Sequence, residues 1–475
     1  MGVKCCLQGL DLSNNMIKGQ VPHWLWRLPF LLQVNISHNS LSSFQASSSQ
    51  QILLESTLRA IDLRSNDFQG PLFIPPSHSI QYLGGSNNNF TGGIPQSICA
   101  LMALELLDLS HNNLNGSVPG CLGNHNGSLT VLNLRHNQLS GTLPDMFVDA
   151  NKLRSIDLSG NRLEGKLPKS LVSCSSLEVL NVASNRIKDT FPFWLASLQD
   201  LQVLSLRSNE FHGEVYLPEF PFGFSKLRVI DISNNHFNGT LPSDYFAGWA
   251  VISSMGSRDV PLGSMGIVLN SGYYYSESIV LTNKGIELEY ERILTTFTAI
   301  DFSRNAFRGE IPESIGLLKG LYAFNLSSNA FAGHIPTSLA NMTELESLDL
   351  SLNNLSGRIP SKLGSLTFLA RMNFSYNQLT GPIPKGTQFG TQNSSSFEHN
   401  LGLCGPPLDH SCGEVKTPAS DVSEPEDDEE KEEEKLSWIA VALGFAPGLL
   451  FGVALGHIGF SYKREWLMKI FGLTR

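Results

Sequence analysis

The chain has 475 residues, a formal net charge of −10 and no concentration of basic residues of the kind that binds nucleic acid. Its acidity is local, because residues 414–435 hold eleven acidic residues against three lysines. None of the seven cysteines has the CxxC spacing of a metal site, and no nucleophile–base pair or phosphate-binding loop is recognisable. We therefore expect neither an enzyme nor a protein with a metal or other cofactor.

The first residues lack the features of a secretory leader. Residues 1–10 (MGVKCCLQGL) contain no basic segment followed by an apolar stretch, and they run directly into repeated sequence. A repeat array that starts without a capping element would expose its apolar core to water. We therefore expect an N-terminal truncation of the chain or of its gene model, with a cytosolic protein as the alternative.

A sixteen-residue motif recurs along most of the chain, and residues 153–168 (LRSIDLSGNRLEGKLP) are a clear copy. Successive copies are mostly 24 residues apart, a period that is typical of leucine-rich repeats. The fourteen copies are marked by Asn15, Asn39, Asn66, Asn88, Asn112, Asn137, Asn161, Asn185, Asn209, Asn235, Asn305, Asn329, Asn353 and Asn377. The motif predicts an α/β repeat solenoid, in which each coil completes its core against its neighbours.

Each copy begins with an alternating pattern that predicts a short strand. In residues 153–168 the inward side chains are Leu153, Ile156 and Leu158, and the outward side chains are Arg154, Ser155 and Asp157. Stacked strands of this kind form a parallel sheet whose outward side chains line the concave face. Asn161 is expected to satisfy main-chain groups of neighbouring coils, and Gly165 to allow a tight bend.

Two sets of outward residues are candidates for function. The residue four places before the repeat asparagine is Asp or Asn in twelve of the fourteen copies, which predicts either a solvated ladder or a strip that binds a cation or a peptide. We favour the solvated ladder. The more variable positions nearby are the candidate ligand contacts, namely Arg135, His136, Arg154, Arg207, Arg228 and Tyr245.

One interval between copies, from Asn235 to Asn305, is 70 residues long and contains 46 residues without the repeat. A structureless loop of that length is uncommon in a compact domain. Residues 243–296 are therefore expected to form a functional element or a small subdomain.

Several segments resemble the plant receptor-like proteins, which are surface receptors with a leucine-rich-repeat ectodomain and no kinase domain. The resemblance rests on GxIP segments such as residues 309–312, and on an insertion with Tyr273, Tyr274 and Tyr275 that four repeats follow. It extends over the chain from about Leu10. It implies a plant-type extracellular leucine-rich-repeat superhelix, with the parallel β-sheet on the concave face and an additional strand in each coil.

In that family the insertion is called the island, and this name is used below for residues 243–296. The resemblance implies that a ligand contacts the concave face and the island, and that a co-receptor kinase docks on the island and the last four repeats. The corresponding candidate residues are Tyr273, Tyr274, Tyr275, Lys284, Tyr322, Ser347, Asp349, Arg371 and Tyr376.

Two pairs of cysteines are candidates for disulfides. Cys404 and Cys412 stand eight residues apart in a loop rich in proline and glycine, which predicts a disulfide that closes the last coil. Cys99 and Cys121 fall on successive coils, where a disulfide and two buried thiols are both open. The sequence assigns no partner to Cys174.

The end of the chain is typical of a membrane anchor. Residues 414–437 are acidic and predict a disordered linker. Residues 438–460 contain no Asp, Glu, Lys or Arg and are long enough for one C-terminal transmembrane helix. Basic residues directly after it favour a cytosolic tail, residues 461–475, with the repeats outside.

Four glycines of this segment are spaced by four residues and would share one face of a helix. They are Gly444, Gly448, Gly452 and Gly456. Such a face lets another helix approach closely. The spacing favours pairing with another helix, with background glycine as the alternative, and the resemblance implies that the partner is an adaptor kinase.

Ten N-x-[ST] sequons are present. A repeat rich in Asn and Ser generates such triplets by accident, but the membrane segment favours a glycosylated ectodomain. The asparagines are Asn35, Asn89, Asn115, Asn126, Asn238, Asn325, Asn341, Asn354, Asn373 and Asn393. Glycans on Asn325 and Asn373 would obstruct docking on the concave face.

The predicted order is about ten repeats (residues 1–242), the island (243–296), four repeats (297–390), a cysteine cap (391–413), the linker, the membrane helix and the tail. The resemblance implies a plasma-membrane receptor that binds an extracellular peptide, protein or glycan and signals through partner receptor kinases, and we expect a role in plant defence. The alternatives are a developmental peptide receptor subunit, a non-functional truncated fragment and, with less support, an inhibitor of cell-wall hydrolases.

Overall fold

The structure is a computed structural model that describes residues 7–45, 57–75, 77–123, 128–215, 224–249, 252, 263–408 and 411–412. The predicted linker, the membrane helix with its four glycines, and the tail lie outside these residues, as does Asn126. Among the helices that the structure describes, none is long and apolar enough to cross a membrane.

Fourteen short strands form one parallel sheet, in the order in which they follow along the chain. They are Gly9–Asp11, Gln33–Asn35, Ala60–Asp62, Tyr82–Gly84, Leu106–Asp108, Val131–Asn133, Ser155–Asp157, Val179–Asn181, Val203–Ser205, Val229–Asp231, Ala299–Asp301, Ala323–Asn325, Ser347–Asp349 and Arg371–Asn373. Equivalent residues are paired, so Ser155 lies between Val131 and Val179. Ile230 pairs with Ile300, so the array continues in register across the island. The predicted solenoid is confirmed.

The inward residues of the strands form the core of the array. Leu153 and Leu158 are fully buried, as the alternation predicts. The amide nitrogen of Asn161 donates to the main-chain oxygens of Leu134 and Leu158 at 3.0 Å, and its oxygen accepts from the Leu139 N–H. One side chain therefore satisfies main-chain groups of neighbouring coils, which is the predicted structural role of the repeat asparagine.

Most described coils contain a second strand after the repeat asparagine, as the resemblance implied. One sheet contains Gln69–Pro71, Asn89–Gly93, Asn113–Gly116, Gln138–Thr142, Arg162–Gly165 and Arg186–Ile187. Another contains His212–Glu214, His236–Gly239, Ala306–Gly309, Ala330–His334, Asn354–Gly357, Gln378–Pro382 and Gly402–Cys404, and Lys18–Val21 pairs with Ser40–Phe44. Gly165 has a φ of +78°, a left-handed conformation that a Cβ would strain.

Short helical turns follow on the next side of the coils, and most begin directly after the proline of a GxIP, GxVP or GxLP segment. The 3-10 helices are His23–Arg27, Gln96–Ala100, Gly120–Gly123, Lys169–Ser173, Phe193–Ser197, Glu313–Leu317, Thr337–Asn341, Ser361–Ser365 and Ser394–Ser396, and one α-helical turn spans Thr387–Gly390. Proline suits this place because its fixed φ matches the start of a helix and it has no N–H to satisfy.

Two disulfides join the predicted cysteines. Cys404 is bonded to Cys412 next to the last strand, which confirms the predicted closure of the last coil. Cys99 is bonded to Cys121 on a neighbouring coil, so the disulfide is the correct alternative for this pair. Cys174 is a buried free thiol.

The row of Asp and Asn residues is not the solvated ladder that we favoured. Asp108, Asp157 and Asp231 are buried. The Oδ1 atom of Asp157 accepts from the main-chain N–H and the hydroxyl group of Ser159, at 2.9 and 2.6 Å. This turn at the end of the strand recurs in other coils and gives the row a structural role.

Candidate ligand-recognition surface

The island is built from two β-hairpins that lie on the concave face. The first hairpin consists of Gly266–Val268 and Tyr274–Ser276, and the second hairpin of Ile279–Asn283 and Ile286–Tyr290. Phe246, Trp249 and Ile252 are instead buried in the core of the array. The described part of the chain that leaves the array is therefore residues 263–296, a shorter segment than the predicted island.

The contact between island and array is largely apolar and follows one row, the first outward residue of each strand. Under the first hairpin, Ala60, Tyr82, Leu106 and Val131 meet Ile267, Leu269, Tyr273 and Tyr275. Under the second hairpin, Val179, Val203, Val229, Ala299 and Ala323 meet Met265, Ile279, Leu281 and Ile293. In the first two coils the same position is Gly9 or Gln33, and both are exposed.

This row is the functional feature that sequence reasoning missed. The outward positions were expected to be polar, yet valine, alanine or leucine stands at most of them from Ala60 to Ala323. Apolar side chains on both faces of a strand indicate that both faces are covered. That signal was present in the sequence and predicts a partner for the concave face.

Two of the candidate ligand contacts bind the second hairpin. Arg135 contacts the carboxylate of Glu289 at 2.8 Å and also donates to a serine hydroxyl of the island. Arg207 donates to the Thr282 hydroxyl at 2.9 Å and forms an ion pair with Glu287. These guanidinium groups are therefore engaged by the chain's own island.

Two further arginines of that set have other partners. Arg228 donates to the main-chain oxygen of Thr295, at the end of the island. Arg154 forms an ion pair with Glu178 of the next coil at 2.6 Å. The four arginines share the concave face, as predicted. Each is already bound to another group of the chain, so together they do not form an open strip.

The last two candidate ligand contacts, His136 and Tyr245, lie in different environments. The His136 ring stacks on His111, with 4.6 Å between the ring centroids. The Tyr245 ring lies edge-to-face against Phe246 and near Phe302, so it belongs to the array core and not to the concave face. Tyr245 was grouped with the variable outward positions, whereas its segment packs into the core of the array.

The tip of the second hairpin reaches the repeats that follow the island. The Lys284 ammonium group lies 3.0 Å from the carboxylate of Glu346, and its main-chain N–H donates to the Ser347 hydroxyl at 3.2 Å. A Cβ on Gly285 would meet the guanidinium group of Arg371. Lys284, Ser347 and Arg371 are therefore brought together.

The three consecutive tyrosines of the island have different environments. The Tyr273 ring stacks on Tyr82 with 4.7 Å between centroids. The Tyr275 hydroxyl group accepts from the amide of Asn133, and burial raises the pKa of this phenol well above its usual range. Tyr274 remains 55% exposed and is available to a partner.

The other residues of the predicted co-receptor set lie on the coils after the island. Tyr322 is half-buried, with its ring 6.4 Å from that of Phe297. The Asp349 carboxylate accepts from Ser351 and is half-buried. Tyr376 is exposed and stacks on a histidine of the last turn. Among these three, Tyr376 presents the most accessible side chain.

The island turns several large apolar side chains to solvent. They are Val268, Tyr274, Ile286, Leu288 and Leu294. A cavity of about 520 Å³ also opens between the first hairpin and the array, with Arg64, His111, Arg135, Glu289 and Arg292 in its lining. Burial and the nearby Arg135 lower the pKa of His111, which favours a neutral imidazole there. Exposed apolar groups beside mixed charges suit a peptide or protein ligand.

Two sequons on the concave face are held by hydrogen bonds. The Asn325 amide donates to Asp301 at 3.1 Å, and the Asn373 amide donates to Asp349 at 3.4 Å. Both asparagines are half-buried, whereas Asn89, Asn115, Asn238, Asn341, Asn354 and Asn393 are exposed. Asn35 is also half-buried at a strand end.

Family models and relatives agree on the class of repeat. Leucine-rich-repeat models match residues 116–163 and 175–237, and also residues 6–28, 103–125 and 344–366. Receptor-like protein 7 of Arabidopsis thaliana is 64% identical over 99% of this chain and 48% of its own length. Receptor-like protein 35 of the same plant is 54% identical over 98% of this chain and 46% of its own length. The chain thus spans about half the length of the curated relatives it matches.

A solved plant receptor has a similar fold. The peptide hormone receptor RGFR1, in complex with RGF2, superposes with a TM-score of 0.62 and 24% identity, over 84% of this chain and 63% of that one. At this identity the likeness concerns the solenoid fold alone.

Proposed function

Because the chain belongs to the plant leucine-rich-repeat receptor-like proteins, we propose that it is a cell-surface receptor that binds an extracellular ligand and signals through partner receptor kinases. The ligand is a peptide, protein or glycan, and the role is in plant defence. The protein is proposed to bind and not to catalyse, and to cross the plasma membrane once through residues 438–460.

The observation that carries this proposal is the island's position on the concave face. Between the Ala60 and Ala323 coils the apolar row is already covered by the chain's own island. The ligand is therefore proposed to contact the outer side of the island, through residues such as Tyr274 and Ile286, together with the adjoining cavity. In this proposal the concave face mainly supports the island, and the ligand contacts mainly the island's outer side.

The proposed kinase contacts follow from the same arrangement. The hairpin tip places Lys284 beside Ser347 and Arg371, on the coils to which a co-receptor kinase is proposed to dock. The adaptor kinase is proposed to pair through the membrane segment, whose glycines include Gly448 and Gly452.

Co-purification of kinases tests the proposed signalling role. The full chain with an epitope tag is expressed in leaves, and co-purified receptor kinases are identified by mass spectrometry. The double substitution Gly448→Leu and Gly452→Leu is expected to reduce their recovery at least about fivefold, because leucine prevents close helix approach. The matched control, Ala446→Leu and Ala454→Leu, also introduces two leucines but places them away from the glycine face, and it should retain the kinases.

Equal recovery with the glycine and alanine variants would contradict the pairing. Absence of any receptor kinase from the unaltered chain would contradict the proposed function itself.

A further inference from the structure

Glu277 lies where the two hairpins of the island meet. Its main-chain N–H donates to the Met265 oxygen, and its oxygen accepts from the Ile293 N–H, both at 3.2 Å. The Met265 N–H in turn donates to the Ile293 oxygen at 2.6 Å. These three residues, named the Glu277 junction, tie both hairpins together directly above the Ser155 coil.

The carboxyl group of Glu277 is buried between island and array. The side chain is 3% exposed, and its Oε2 atom accepts from the hydroxyl group of Ser155 at 3.0 Å. The Oε1 atom has no hydrogen-bond partner among the described residues. One neutral hydrogen bond compensates poorly for removing a carboxylate from water.

The charged groups around Glu277 do not supply the missing compensation. They are Asp157, Glu178 and Arg154. The guanidinium group of Arg154 is already paired with Glu178, through Nε at 2.7 Å and Nη2 at 2.6 Å. Asp157 adds a like charge. A deprotonated Glu277 would therefore sit in a buried site with no free cation facing it from the described part of the chain.

We propose that Glu277 is a pH-sensitive latch, which holds the island on the concave face while its carboxyl group is protonated and loosens the island when the proton is lost. This inference concerns the conformation of the receptor and does not depend on which ligand it binds.

The direction of the effect follows from the electrostatics. Burial raises the pKa of Glu277 to about 8 from 4.5, against a lowering by the Ser155 hydrogen bond. The docked island therefore binds this proton more tightly than a released island does. Docking is strongest under acidic conditions and weakens as the pH rises from about 5 towards 8, by up to about tenfold per pH unit.

Other groups between island and array titrate as well. Burial raises the pKa of Asp301 to about 7 and also raises that of Asp231, which acts in the same direction beside the second hairpin. Glu287 and Glu289 of the second hairpin also face the array, where each forms an ion pair with an arginine. The effect of Glu277 is therefore best followed through the main-chain protection of the Glu277 junction itself.

Amide hydrogen exchange of the full chain in detergent micelles tests the latch. Exchange of peptides that cover residues 263–296 is compared at pH 5.5 and pH 7.5, after correction for the intrinsic exchange rate. In the unaltered chain, protection at the Glu277 junction is expected to fall at least about tenfold between these pH values. Glu277→Gln, a neutral side chain of the same shape, should make this fall at least about threefold smaller than in the unaltered chain, while Asp301 and Asp231 still contribute. Glu291→Gln changes an exposed glutamate of the same island and should show the same fall in protection as the unaltered chain.

A fall in Glu277→Gln as steep as in the unaltered chain would overturn the proposal. Ser155→Ala provides a second variant that keeps the titrating group. Ser155→Ala removes the hydrogen bond that favours the charged form of Glu277, and this raises the pKa of Glu277 further. The loss of protection should therefore extend to higher pH. An unchanged pH profile in Ser155→Ala, if Glu277→Gln does not fold, would equally contradict the latch.

Discussion

The middle coils of the array and its first two coils are built on the same repeat but present different surfaces. In the middle coils the first outward strand residue is Val179, Val203 or Val229, and each is buried beneath the island. In the first coils it is Gly9 or Gln33, and both are exposed. A single position in each repeat therefore distinguishes a coil that supports the island from one that does not.

The comparison also ranks the forces that hold the island. Full burial of one valine is worth about 1.5–3 kcal/mol relative to exposure. Arg207 and Glu287 form an ion pair in which the carboxylate side chain is 60% exposed, and such pairs contribute about 0–1 kcal/mol. The apolar row is therefore expected to hold the island, whereas the ion pairs set its position along the array.

The largest expected effect comes from a charge placed under the island. Val203→Asp should weaken docking by about 3–5 kcal/mol, because the carboxylate would be buried among valines without a partner. Limited proteolysis should then cut residues 263–296 much faster than in the unaltered chain.

Gln33→Asp is the matched control for this change, since it introduces the same side chain at the same strand position in an uncovered coil. It should leave the proteolysis rate of the island unchanged. Equal protection of the island in both variants would show that the valine row does not hold it.

A smaller effect is expected from the ion pairs. A double-mutant cycle with Arg207→Ala and Glu287→Ala should give a coupling of about 1 kcal/mol or less for island docking. Hydrogen exchange of the second hairpin measures it.

Lys226 and Asp200 form the control pair, at 2.6 Å on the array surface. Their double-mutant cycle should give no coupling to the island. A coupling of several kcal/mol for Arg207 and Glu287 would reverse the ranking of apolar and ionic contacts.

The smallest effect concerns glycans, which should distinguish the concave face from the other sides of the coils. Asn238 and Asn354 are exposed and are expected to carry glycans, whereas Asn325 and Asn373 are expected to remain largely unmodified. The reason is that each concave amide is tied to an aspartate of the preceding coil. Glycopeptide mass spectrometry of the chain purified from plant tissue measures the occupancy, and high occupancy at Asn373 would contradict this assignment.

Much of the array could be predicted from the sequence, because its residues repeat their roles. Leu158 and Asn161 occupy the predicted inward and bridging positions. The burial of Asp157 was missed, because the serine two residues later that completes its turn was not considered. Strand alternation alone does not show what the valines on the outward face contact, because their partner lies in the island.

The candidate site could be predicted only in part. Lys284, Ser347 and Arg371 lie close together, as the resemblance implied when it placed the island near the last repeats, and their contact with a co-receptor stays a prediction. The contact between Arg207 and Glu287 joins residues 80 positions apart. No local pattern predicts such a contact, since it depends on how the hairpin lies across the coils.

A designed disulfide tests most directly whether the island lies on the concave face and reaches the later repeats. In the pair Lys284→Cys and Ser347→Cys, a main-chain atom of one residue and the side chain of the other are 3.2 Å apart. The control pair, Lys284→Cys and Ser155→Cys, uses a serine at the same strand position in a coil beneath the middle of the island. Peptide mapping under non-reducing conditions should find a bond between positions 284 and 347 in the first variant, and none between positions 284 and 155 in the second. Failure of the first bond to form, or equal formation of both, would contradict the docked island.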